Sequence, residues 1–340
     1  MKTNIDRIFV LLKTTFLFLW VQLFSSAIMA QEKNVEKPQD TLSIPLVISH
    51  NRAPTNAKES LNKKKVLTAI SLHAVGDAGT LVILSKAWYK NYPKTSFHTY
   101  NDSREWLQMD KAGHAWTAYN IATHSAGLWK WTKLDTKKAV LLGGASALGF
   151  QTILEYLDAH SAAWGWSWAD MGANVFGTAL FTAQELKWED QRIQFKFSSF
   201  PSSYDPSLRE RAHDLYGNNY ATRLLKDYNA QTYWLSFNGR SFMPKSGLPS
   251  WLNLGFGYGA RGLFGGYQNM AKDKNGAVTF YRPDVARKRQ FYLSPDIDFT
   301  KIKTRKKSVR TVLSLLNVIK VPAPSLELSG GKLKGHFLSF

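Results

Sequence analysis

Four proline-free stretches of helical length, Val66–Trp88, Asp110–Trp131, Lys137–Asp158 and Trp168–Lys187, follow one another through the first half of the chain. From Asp190 the period changes. Ile193, Phe195 and Phe197 alternate with Gln194, Lys196 and Ser198, as side chains do on the two faces of a strand. This switch constrains the fold more than any other feature. It predicts an α+β chain: an N-terminal helical bundle rich in small residues over 65–187, then an antiparallel, β-rich, basic region over 188–340. Tyr92-Pro93, Leu134-Asp135 and the Gly165 region separate the helices. Gly143, Gly144, Ala147 and Gly149 in the third stretch, and Gly172, Ala173 and Gly177 in the fourth, allow close backbone approach, as membrane bundles often require. Ala112–Trp129 and Ala139–Leu154 carry no charged residue. Both fall short of the roughly 20 largely apolar residues of a clean span. A compact bundle associated with a membrane is expected.

The second half predicts a helix near Ser207–Asp227 and strands within Thr232–Phe242, Trp251–Leu263, Arg289–Thr300 and Ser325–Phe340, with a polar loop over Met270–Gly276. Gly255, Gly257 and Gly259 within a strand point to a bend or a close approach. The terminal Phe340, with Leu338 two before it, resembles the closing signal of outer-membrane β-barrels. Five or six strands fall short of the eight of the smallest bacterial barrels. A sheet packed on the helices, or lying against a membrane, fits that count better.

Residues 1–30 read as a signal peptide: Lys2, Arg7 and Lys13, the uncharged run Thr14–Ala30, and a small-residue end. An uncleaved anchor helix is the alternative. Residues 31–64 read as a polar linker. Export places the chain in the periplasm or at the outer membrane. The net charge is +19, and Lys187–Phe340, with 25 basic against 11 acidic residues, holds +14 of it. In the envelope such a surface attracts the membrane surface, anionic glycolipid or acidic polysaccharide. No nucleic-acid-binding motif is present, so nucleic acid is not expected as a partner. Cysteine is absent, which excludes a disulfide framework, a thiolate metal site and the acylated residue of a lipoprotein.

Each helical stretch carries polar residues at helical spacing. His73 and Asp77 are four apart, Asp110 and His114 four apart, Glu155 and Asp158 three apart, Asp170 and Asn174 four apart. Residues so spaced share a helix face. Should those faces meet, Asp110, His114, Glu155, Asp158, Asp170 and Asn174 form one cluster able to act as general acid and base, or to hold a divalent metal. The plainer readings are a buried structural network, an N-cap at Asp110 and a first-turn aspartate at Asp170. His124 reads as a packed histidine.

The succession Asp110-Lys111-Ala112-Gly113-His114, Glu155-Tyr156-Leu157-Asp158 and Ser167-Trp168-Ala169-Asp170, with Asn174 and Gly177, resembles the YfiM-type family of predicted periplasmic lipoproteins, a domain of unknown function. More distantly it resembles VanZ-like membrane proteins. The resemblance covers about 65–190 and extends through Lys226–Trp234 in versions from the Bacteroidetes. It implies an envelope protein and brings no established activity. Two functions are therefore expected. One is a structural or binding component at a membrane surface contacting anionic lipid or polysaccharide. The other is a metal-dependent or acid–base enzyme acting on a lipid-linked or phosphorylated envelope substrate. No P-loop, dinucleotide fingerprint or Ser/Cys nucleophile motif supports a further enzyme class.

Overall fold

A computed structural model describes residues 61–85, 89, 92–201, 203–273 and 275–339. The signal segment, the linker as far as residue 60 and Phe340 lie outside these residues.

Helix α1 (Lys63–Leu84) starts at Asn62, whose side chain accepts from the Lys65 amide. Helix α2 (Met109–Trp131) follows a short irregular segment. Helix α3 (Thr136–Asp158) is capped by Asp135 and α4 (Trp168–Trp188) by Ser167, each side chain accepting a first-turn amide. Asp110 is not the cap of α2. The helix already begins at Met109, its N-cap Gln108 has a left-handed backbone, and Asp110 lies in the first turn.

The main sheet runs β1 (Ile193–Ser199), β2 (Gln231–Asn238), β3 (Leu252–Arg261), β6 (Lys288–Ile297), β7 (Ala323–Ser329), β8 (Lys332–Ser339), every neighbour antiparallel. A separate hairpin, β4 (Met270–Lys272) with β5 (Val278–Tyr281), fills the excursion between β3 and β6, so β4 takes the start of the expected Met270–Gly276 loop. The expected helix over Ser207–Asp227 divides into α5 (Pro206–Tyr216) and α6 (Tyr220–Lys226), because Gly217 turns out of the helix at φ 81°. The expected strand Thr232–Phe242 stops at Asn238, which caps a helical turn. The expected strand run over Ser325–Phe340 divides, within the described residues, into β7 and β8, folded about Gly330-Gly331, both at positive φ. Helix α7 (Lys307–Leu316) precedes β7, and the backbone after it bonds the free edge of β1: Phe197 N to Val318 O at 3.0 Å, Lys320 N to Phe197 O at 2.9 Å.

The core lies where α2 is enclosed by α3 and α4 on one side and by β1–β3 on the other. Tyr119, Ala122, Val140, Ala147, Phe181, Phe195 and Tyr233 pack there. Elsewhere the usual sense of burial is reversed. Strands β3, β6 and β7 bury Asn253, Gln290, Ser294, Asp296, Ser325 and Glu327, while Leu254, Phe256, Phe291, Leu293, Leu326 and Leu328 face outward. Helix α4 buries Asp170, Asn174, Thr178 and Gln184 and exposes Val175 and Phe176; α3 buries Gln151 and Glu155 and exposes Leu141, Leu142 and Ile153. Among the residues of α1 only Ala69 is buried. Helices α1 and α3 are long and apolar enough to cross a membrane.

Under the sheet, Lys196, Lys320 and Asp296 are enclosed together. Lys196 Nζ lies 2.9 Å from Asp296 Oδ2 and Lys320 Nζ 4.0 Å from Asp296 Oδ1. Lys320 also sits over the ring of Trp234, which fits beneath β3 only because Gly257 is there: a Cβ at that position would stand 2.8 Å from the indole. Burial pushes the Lys320 ammonium down to about 8; Asp296 opposes the shift and Lys196 adds to it. The unfolded lysine titrates near 10.4. Between about pH 8 and that value the unfolded chain binds the extra proton, so folding gains stability as pH rises through this window. Lys320→Met is therefore expected to exceed the native melting temperature most below pH 8, the gap closing toward pH 10.5. Parallel melting curves that do not converge would refute the assignment.

Candidate functional site

The N-terminal ends of α2 and α4 and the C-terminal end of α3 meet at one end of the bundle. The approach to α2 is conformationally costly. Trp106, Leu107 and Gln108 all have left-handed backbones, with φ of 49°, 51° and 63°, at about 1–2 kcal/mol for each residue. Tertiary contacts hold them: Trp106 N donates to Gly266 O at 2.8 Å, Tyr258 Oη donates to Leu107 O, and Arg289 donates to Gln108 Oε1 at 2.6 Å. The strained turn aims Asp110, Lys111 and His114 into the gap between α3 and α4.

Lys111 Nζ lies 2.6 Å from Asp102 Oδ2, 2.8 Å from Asp170 Oδ1 and 3.0 Å from Asp110 Oδ2. His114 lies beside it. Its Nδ1 is 3.2 Å from Asn174 Oδ1 and 3.6 Å from Glu155 Oε1. Its Nε2 is 3.7 Å from Asp170 Oδ1 and 4.0 Å from Asp110 Oδ1. Gln151 Nε2 donates to Asn174 Oδ1 at 2.6 Å, and Tyr228 Oη donates to Asp110 Oδ1 at 2.8 Å. Ser167 ties three members together: its Oγ donates to Asp102 and accepts from the Asp170 amide, and its own amide donates to Glu155 Oε2. Glu155 and Asn174 are fully enclosed, whereas the Asp110 side chain is 27% exposed, so the cluster opens to solvent on that side.

Electrostatics separates the two flanking aspartates. Burial opposes the charge on Asp110, but His114 and Lys111 outweigh it and hold this carboxyl below the ordinary range. Asp170 is pushed well above its ordinary value by burial, with Asp110 and Asp102 adding repulsion. Burial also opposes charge on His114, yet Asp170, Asp110 and Glu155 raise it to about 9. Two carboxyls pushed in opposite directions beside an imidazole pushed up form an arrangement suited to moving protons. Asp110, His114 and Asp170 also offer one ligand atom each within 4.8 Å of one another.

Of the six residues expected in a cluster, Asp110, His114, Glu155, Asp170 and Asn174 converge. Asp158 is engaged instead by Tyr89 Oη at 2.6 Å. His73 meets Ser125 and stacks on Trp129, apart from the cluster. His124 is likewise apart, lining a cavity of about 160 Å³ with Tyr119, Asn120 and Glu185. Asp102, Gln151, Ser167 and Tyr228 were not singled out as site residues from the sequence. Asp102 and Tyr228 lie outside the regular helices, where no periodicity marks them. The Ser-x-x-Asp spacing of Ser167 and Asp170 does mark a helix start.

Residues 99–184 match a family described as predicted periplasmic lipoprotein, DUF2279. That stretch holds the cluster except Tyr228. The description fits an exported protein and attaches no activity to the cluster; the 340 residues contain no cysteine to carry a lipid anchor. No curated protein and no solved structure matches the chain.

Proposed function

We propose that the protein is a lipid-facing component of the cell envelope, a binding or structural element whose outward surfaces contact an anionic membrane. The reversed burial carries this reading. In water an antiparallel sheet turns its apolar face inward, whereas lipid-exposed strands alternate apolar-out and polar-in. Contiguous apolar surface of this kind marks a contact with lipid or protein. Lipid is favoured over a protein partner because the sheet, α3 and α4 all share the pattern and α1 is uncovered along nearly its whole length, whereas a partner would cover one face. The charge of the second half, +14 over Lys187–Phe340, suits anionic headgroups.

Flotation of the full chain with vesicles tests it. Detergent-purified protein is expected to float with phosphatidylglycerol-containing vesicles, less well with neutral ones at low salt, and the difference is expected to vanish at about 1 M salt as charge is screened. The double change Phe256→Lys and Leu293→Lys is expected to reduce flotation several-fold without altering the far-ultraviolet circular dichroism. Protein that stays dispersed without detergent and floats with neither vesicle sinks the reading; a discrete dimer under those conditions would assign the apolar faces to a second copy.

A second reading, an acid–base or metal-dependent enzyme acting on a lipid-linked or phosphorylated substrate, is supported by the convergence of Asp110, His114 and Asp170 at the solvent-open end of the bundle, with the two carboxyls pushed in opposite directions.

A further inference from the structure

We infer that Asp110, His114 and Asp170 form a binding site for one divalent transition-metal ion of the zinc or manganese class, with Asn174 fixing the imidazole from behind. The inference stands whether or not the outward faces meet lipid.

Geometry is the first support. Gln151 Nε2 donates to Asn174 Oδ1, so that oxygen is an acceptor, and it also faces His114 Nδ1 at 3.2 Å. Nδ1 therefore carries the hydrogen when the imidazole is neutral, leaving the Nε2 lone pair directed at the aspartates. This is the usual support of a metal-bound histidine: one ring nitrogen donates to a fixed oxygen and the other binds the ion. From Nε2 the carboxylate oxygens are 3.7 and 4.0 Å away, too far for direct hydrogen bonds. An ion about 2.0–2.2 Å from each ligand bridges gaps of that size. One nitrogen and two carboxylate oxygens suit zinc or manganese, and the exposed side at Asp110 leaves a coordination position for water.

Unmet polar demand is the second support. Asp170 Oδ1, one of the three ligand atoms, is buried with no hydrogen-bond partner, and Lys111 Nζ is its ion-pair contact at 2.8 Å. Asp170 is 5% exposed. Buried polar groups are nearly always satisfied. Charge points the same way. Asp102, Asp110, Glu155 and Asp170 face one permanent cation, Lys111, which is held against Asp102, against the other oxygen of Asp110, and against the same Asp170 oxygen, Oδ1, that faces the imidazole. A divalent ion with a neutral imidazole balances these carboxylates better than an imidazolium alone. Tyr228 then fixes Asp110 Oδ1 as Asn174 fixes His114.

The test is stoichiometry. Full-length protein in detergent, stripped with chelator and dialysed against Zn²⁺ or Mn²⁺, is expected to retain about one equivalent through gel filtration. With Co²⁺ as probe, visible bands of a nitrogen- and oxygen-ligated ion are expected. His114→Ala is expected to lose the bound ion and the bands, and Asn174→Ala to weaken binding about ten- to a hundredfold. His124→Ala, which removes the histidine farther along α2, is expected to retain it. Folded native protein that retains no metal overturns the inference, and so does undiminished retention by His114→Ala. Should His114→Ala fail to fold, native stoichiometry and the Asn174→Ala titration decide it.

Discussion

Replacing Asp296 with alanine is expected to cost about 3–5 kcal/mol of stability, the loss typical of removing one partner from a buried ion pair. Asp296 is the carboxylate facing two enclosed ammonium groups, Lys196 and Lys320, and it also accepts from Ser236 Oγ at 2.6 Å. Its removal leaves Lys196 with the Ile297 carbonyl and Lys320 with the Val321 carbonyl, which supply dipoles but no opposite charge. The desolvation of two cations is then uncompensated. Asp296→Asn keeps the shape and one acceptor, so a smaller loss is expected. The triple change Lys196→Met, Asp296→Leu and Lys320→Met removes charge and demand together, and is expected to be near neutral or stabilising. Thermal unfolding followed by near-ultraviolet circular dichroism checks all three. A cost below about 1 kcal/mol for Asp296→Ala would mean that water reaches these groups and that the space beneath the sheet is not closed.

This interior shows where sequence reasoning reaches its limit. Trp251–Leu263 and Arg289–Thr300 read as strands from the sequence, and strands formed over Leu252–Arg261 and Lys288–Ile297. Alternation says that the two faces differ; it does not say which face is inside. The inward side chains Asn253, Ser294 and Asp296 look like a solvent face until the sheet is seen curling over Lys196 and Trp234. The helices were legible because length, absence of proline and the separating Leu134-Asp135 and Gly165 regions are local properties. The ends of α3 and α4 fall within a residue of expectation for the same reason. Five cluster members were legible because three- and four-residue spacing reports a shared face. Asp102 comes from a non-helical segment and Tyr228 from a turn before β2, and both reach the cluster through tertiary packing. The left-handed backbone of Trp106 and Leu107 had no local signal, since neither is a residue that favours it.

Two glycines on α4 are expected to respond to alanine with opposite signs. At Gly172 a Cβ would meet nothing within 4 Å. Gly172→Ala removes backbone freedom from the unfolded chain and is expected to add about 0.5–1 kcal/mol. At Gly177 a Cβ would stand 2.0 Å from Ala115 O and 2.8 Å from Ala115 C. These are backbone atoms of α2, so no rotamer change relieves the clash; the helices must separate. The same gain in helix propensity is then outweighed by overpacking, typically 1–3 kcal/mol, and a net loss is expected. Gly177 lies one turn beyond Asn174, and Ala115 is next to His114. Separation there lengthens the 3.2 Å contact between His114 Nδ1 and Asn174 Oδ1, so Gly177→Ala is also expected to weaken metal retention while Gly172→Ala leaves it intact. Melting curves and metal titrations on the two variants check this together. Equal behaviour of the pair would mean that the α2–α4 crossing is loose, and that the spacing of the cluster is set by some other contact.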